Sequence, residues 1–154
     1  MLLWETPITD RTQTDADRVK ELYLKGWQGM SDDEKEEWLG NLKGALNKSD
    51  LERINNNIEL CNEVLELDLK IEEPPVMTES YLKNLLDNVT AIWSASAKHS
   101  DTPTPPKEPL TTYQKWNDIE KILLDIYEIL LNNFYYYCEP SDGLYCGGDI
   151  GLLL

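Results

Sequence analysis

Apolar residues recur in three stretches of the chain with one spacing: Leu51, Ile54, Ile58 and Cys61; Leu82, Leu85, Val89 and Ile92; Ile119, Ile122, Ile126 and Ile129. Steps of three, four and three put each set on a single stripe of an α-helix, the a/d seam of a bundle. Three such seams can close on one another. The pattern therefore predicts a mainly α fold, a helical bundle built from three repeated heptad-seam helices. The surrounding residues repeat as well. Ser49–Ile58 aligns with Asn117–Ile126, and Ser80–Val89 is a weaker copy. One polar position keeps the same register, since Asn57, Asn88 and Asp125 each directly precede the third seam residue. Asparagine inside a helix competes for its own backbone. The expectation is a solvated flank with side-chain hydrogen bonds to neighbouring loops, and the alternative is a polar cluster at a subunit contact.

Capping and stop signals divide the rest. A first helix is predicted from about Thr14 to Gly26, and a short second one from Ser31, boxed with Glu34, to Gly40. The first seam helix should open at Ser49, boxed with Glu52, and reach about Leu67 before Pro74-Pro75. The second runs from Thr78 to about Ala97, and the third from Thr111, capped with Gln114, to about Phe134. The organisation expected is a helical region over 1–99, a stiff Pro-rich linker over 100–110, the last bundle helix over 111–134 and an aromatic C-terminal arm over 135–154. Ser141-Asp142-Gly143 is a turn signal, so the arm is expected to be extended or a β-hairpin.

The 154 residues include 29 Asp and Glu against 14 Lys and Arg, a net charge of −15. That balance argues against nucleic acid and anionic membranes, whose binding rests on Lys and Arg. No apolar run approaches the roughly 20 residues of a membrane span, and the first residues do not have the form of a signal peptide. Cys61, Cys138 and Cys146 read as free thiols made in a reducing cytosol, although Cys138 and Cys146 could bridge across a hairpin.

Catalytic, metal-binding and cofactor-binding residues are all expected to be absent. His99 is the only histidine and adjoins a linker, and the cysteines lack zinc spacing. The glycines form no phosphate loop, and the acidic run Asp32–Glu37 sits where a helix start favours it. The chain thus reads as no enzyme. Docking candidates are the terminal apolar residues: Trp4, Phe134, Tyr135, Tyr136, Tyr137, Tyr145, Ile150, Leu152, Leu153 and Leu154. Each terminal segment is expected either to fold back on the bundle or to pair with another chain; tyrosine favours interfaces, and an extended arm can add a strand to a neighbour.

The stretches Trp4–Gln13, Asp17–Leu22, Asp50–Ile58, Leu110–Gln114 and Asn117–Asp125, with the tyrosine-rich end, resemble small tail-associated proteins of phages and prophages of Firmicutes. The resemblance implies a virion structural protein of the tail, baseplate or fibre region, made in the bacterial host cytoplasm. It implies other tail or baseplate proteins as partners and a homo-oligomer within a symmetric particle. Two rival readings are an acidic DNA mimic that inhibits a host DNA-binding or defence protein, and a receptor-binding tip component serving host attachment. Against the mimic, lysines interleave with the acids. The charge is spread too, with nine basic against 18 acidic residues over 1–73, and five against 11 over the remainder.

Overall fold

A computed structural model describes residues 3–40, 42–73 and 75–137, with side chains as far as Asn133. The fold is mainly helical, with five α-helices and no strand among the described residues. They are α1 (Gln13–Lys25), α2 (Asp32–Leu39), α3 (Lys48–Leu65), α4 (Glu79–Ala95) and α5 (Tyr113–Tyr137), and a 3₁₀ turn at Trp27–Gly29 joins the first two. The arm with Tyr145, Ile150 and Leu152–Leu154, together with Cys138 and Cys146, lies outside the described residues.

Local chemistry accounts for most of the boundaries. Ser31 and Glu34 form the capping box of α2 in both directions, and the Thr78 hydroxyl accepts the Tyr81 N–H at the start of α4. Gly26 stops α1 at φ +67°, in glycine's half of the map. Three starts differ from the expected ones, and the last of them is α5, which begins at Tyr113, one residue later than a Thr111 cap would set it. Thr12 caps α1 with Asp15. For α3 the cap is Asn47, not Ser49, because the Asp50 carboxylate accepts the Asn47 N–H at 2.8 Å. Asp50 outcompetes Glu52 for this role because its other oxygen is held by buried arginines.

The helices α3, α4 and α5 pack on one another in all three pairings. Leu51, Ile54, Ile58 and Cys61 meet Leu85, Val89 and Ile92 of α4 and Ile119, Ile122 and Ile126 of α5, all at most 3% exposed and in one apolar cluster. Leu82, at the first seam position of α4, is half-buried at the edge of that cluster. Tyr81, Leu123 and Trp116 complete the interior.

The direction of the three helices follows from what lies between them. After α3, Glu66 and Asp68 take positive φ and turn the chain back. Leu67, Leu69 and Ile71 then face the core alternately with exposed Asp68 and Lys70, the period of a half-buried strand. No strand flanks this segment. Its backbone is held instead by helix-borne amides: Leu69 N–H donates to Asn62 Oδ1, and Asn84 and Asn88 donate to the Lys70 carbonyl. Asn55 donates to the Glu72 carbonyl. Rising numbers in this strap meet falling numbers in both helices, so α3 and α4 run parallel.

The same device recurs twice. In the Pro-rich segment Thr102 donates to Asp125, and the Lys115 ammonium donates to the Lys107 and Pro109 carbonyls, so the segment runs back along α5. Trp93 Nε1 donates to the Pro103 carbonyl and ties the segment to α4. The predicted linker is thus docked on two helices. The N-terminal residues 4–11 run back along both α3 and α5. Three parallel helices are therefore interleaved with three returning straps. Thirteen residues between α3 and α4 suffice for a return along a helix of about 27 Å, at 1.5 Å per residue for its 18 residues.

Candidate functional site

The register position shared by the three helices is a strap clasp. Asn57 accepts the Glu5 N–H at 3.0 Å and donates to the Glu5 carbonyl at 2.8 Å. Asn88 holds Lys70, and Asp125 holds Thr102 at 2.7 Å. The expected bonds to neighbouring loops are present, but the residues are buried at 1%, 6% and 2% exposure where a solvated flank was expected. An amide or carboxylate there replaces the hydrogen bonds that water would otherwise make to the strap.

The N-terminal strap is held most elaborately. Asn117 repeats the two-way clasp on Arg11, accepting its N–H at 3.2 Å and donating to its carbonyl at 2.9 Å. Between the two clasps, Glu120 Oε2 accepts the Ile8 N–H at 2.7 Å. Trp4 stacks on Tyr127 with ring centroids 3.9 Å apart and planes within 6°. One indole face of this docking candidate is therefore covered by its own chain.

Arg11 ends the strap inside a buried ion cluster. Its guanidinium donates to Glu120 Oε1 at 2.8 Å and to the Ile8 carbonyl at 2.7 Å, and it lies 3.4 Å from Asp50. Arg53 donates to Glu120 from two nitrogens, at 3.0 and 2.9 Å, and to Asp50 at 2.6 Å. Two guanidiniums thus face two carboxylates, and all four residues are at most 9% exposed. For Arg53 burial works against the charge, but the two carboxylates outweigh it and raise the guanidinium pKa. The cluster neutralises itself and makes no opening for substrate chemistry. None of its members was singled out as a site in the sequence. The available signal was charge beside the seam: Asp50 precedes Leu51, Arg53 precedes Ile54, and Glu120 follows Ile119.

A separate open cleft of about 410 Å³ is lined by Asp15, Arg18, Glu37, Gly40, Leu42, Lys43 and Gly44. Its cations are paired. Arg18 makes a bidentate contact with Glu37 at 2.6 and 3.0 Å, and Lys43 meets Asp10 at 2.7 Å. Arg18 holds Glu37 below the usual carboxylate range, and Lys43 does the same for Asp10. No group of three or more His, Cys, Asp or Glu able to hold a metal occurs among the described residues. His99 is exposed at a turn. Burial pushes the Cys61 thiol up to about 12, which removes its thiolate at neutral pH. No helix among the described residues is long and apolar enough to cross a membrane.

At the other end, α5 outruns its neighbours. Measured from the shared clasp position, α3 ends eight residues beyond Asn57, α4 seven beyond Asn88, and α5 twelve beyond Asp125. The four extra residues relative to α3 are Phe134, Tyr135, Tyr136 and Tyr137, about 6 Å of additional helix at 1.5 Å per residue. Compared with protein-family models, curated proteins and solved structures, the chain finds no match.

Proposed function

We propose that the chain is a non-enzymatic structural or adaptor subunit of a multi-copy particle, of the kind that makes up a phage tail, baseplate or tail-like assembly. In this reading a strapped three-helix core is the rigid body, and the terminal segments make the contacts to copies of itself and to other tail proteins. The virion would be its location. The observation that carries the reading is the length of α5: counted from the shared register position, it continues past α3 and α4 through four consecutive aromatic residues that lead directly into residues 138–154. Aromatic residues are enriched where interfaces bury area.

The acidic-mimic reading has less support, because lysines interleave with the acids and several carboxylates are paired within the chain. Glu34, Glu37, Asp50, Glu120 and Asp125 all pair with cations of the same molecule.

The test is the absolute mass in solution, by light scattering, of the full chain and of a chain ending at Phe134, with helicity followed by circular dichroism. The expected result is a full-length oligomer that becomes a folded monomer on truncation. A full-length monomer, or an oligomer that survives truncation, refutes the role given to the arm.

A further inference from the structure

The N-terminal strap is bound as a peptide ligand is bound. Backbone groups at Glu5, Ile8 and Arg11 are read by Asn57, Glu120 and Asn117, through five hydrogen bonds to groups on α3 and α5. Two side chains add identity: the Trp4 ring on Tyr127, and the Arg11 guanidinium between Glu120 and Asp50. Removing that guanidinium leaves the groove with two carboxylates facing one arginine.

Every one of these partners lies between 39 and 123 residues away in the sequence. The strap's ion pair to the segment between α2 and α3, Asp10 with Lys43, is exposed. Its last residue, Arg11, directly precedes Thr12, the cap of α1. The strap is thus one docking unit with a boundary at a helix start. Pro7 stiffens it and lowers the entropy lost on docking. None of the groove's groups depends on which molecule supplies the segment, and identical contacts in cis and in trans are the condition for exchange between copies.

We propose that the groove between α3 and α5 is an extended-peptide site that accepts residues 4–11 from a second copy of the chain, the partner copy contributing Trp4 and Arg11. This deepens the assembly reading but uses a different segment, so its failure leaves the test of residues 135–154 untouched. Within one molecule the tether favours the cis arrangement. Side-by-side copies in a particle raise the local concentration of the neighbour's strap and shift the balance toward trans.

The Asn56 amide touches the Glu5 carboxylate, which marks a pair of positions for cross-linking. Full-length chains carrying Cys138→Ser and Cys146→Ser serve as the background. A Glu5→Cys chain and an Asn56→Cys chain are mixed, warmed to just below melting, cooled and treated with a short bismaleimide. A covalent heterodimer is expected. A Glu5→Cys chain mixed with a Ser94→Cys chain, whose thiol is exposed on α4, should give none. The double variant Glu5→Cys/Asn56→Cys should close on itself and show that the geometry permits the link. Closure of the double variant with no heterodimer in the mixture overturns the proposal. Equal product with the Ser94→Cys chain, or failure of the double variant to close, does so as well.

Discussion

Replacing Arg11 by methionine keeps most of the aliphatic stem and removes the guanidinium. The change strips hydrogen bonds from Glu120 and from the Ile8 carbonyl, and leaves Asp50 and Glu120 facing Arg53 alone. Both the Arg11 and Glu120 side chains are about 2% exposed or less, so water cannot compensate. Breaking a buried pair by deleting one partner costs about 3–5 kcal/mol, a large part of the ~5–15 kcal/mol that stabilises a typical domain. Arg11→Met/Glu120→Gln restores the charge balance and should recover about 1.5–3 kcal/mol relative to the sum of the single changes. Urea unfolding of the wild type, both single variants and the double variant gives the coupling directly. The loss should persist in 1 M salt, because screening acts on exposed pairs. By contrast, the solvent-accessible Arg18–Glu21 pair should lose its small contribution in the same salt. A cost for Arg11→Met below about 1 kcal/mol, or additivity across the cycle, would refute the idea that the cluster latches the strap.

A methyl group on Gly44 would collide with the Asp15 carbonyl of α1. Two backbones must separate to admit it, so Gly44→Ala should lower stability by about 1–3 kcal/mol in a thermal melt. Burial raises the Asp118 pKa, so the folded state resists its ionisation. That penalty applies above the folded value and vanishes below the unfolded one near 3.8. Asp118→Asn should therefore raise the melting temperature at pH 7 and make no difference at pH 3. With Cys138 and Cys146 changed to serine, Cys61 should react with a thiol reagent only as fast as the protein unfolds, and rapid labelling at pH 8 would contradict its burial.

The seams were legible because burial on a helix imposes a period that survives in composition: Ile54, Ile58, Val89, Ile122 and Ile126 are all fully buried. The clasp position was legible for the same reason, as a polar residue locked to that period. What it clasps was harder to see. Leu67, Leu69 and Ile71 carry a strand's alternation, but the backbone of their segment is bonded to Asn55, Asn62, Asn84 and Asn88 on helices, of which only Asn88 sits at the shared register position. The ion cluster is less visible still. Arg11 lies 39 residues from Asp50 and 109 from Glu120, and nothing local marks a charge as buried when its counter-charge arrives from so far along the chain. Trp4 was legible as a residue that must either fold back or meet another chain, and in the structure one face of its ring lies on Tyr127 of the same chain.

The parallel arrangement also sets an order of events during synthesis. Helices joined by tight turns can pair as soon as the second emerges, but here each helix must wait for a strap to travel its full length. The N-terminal strap waits longest, because Asn117, Glu120 and Tyr127 are among the last of its partners to be made. While the ribosome works from Arg11 to Tyr127, Trp4 and Arg11 have no complete cis site to enter. Copies growing side by side on one message would hold that segment open to each other throughout this interval. Contacts of such long range also place the chain among slow folders for a helical protein.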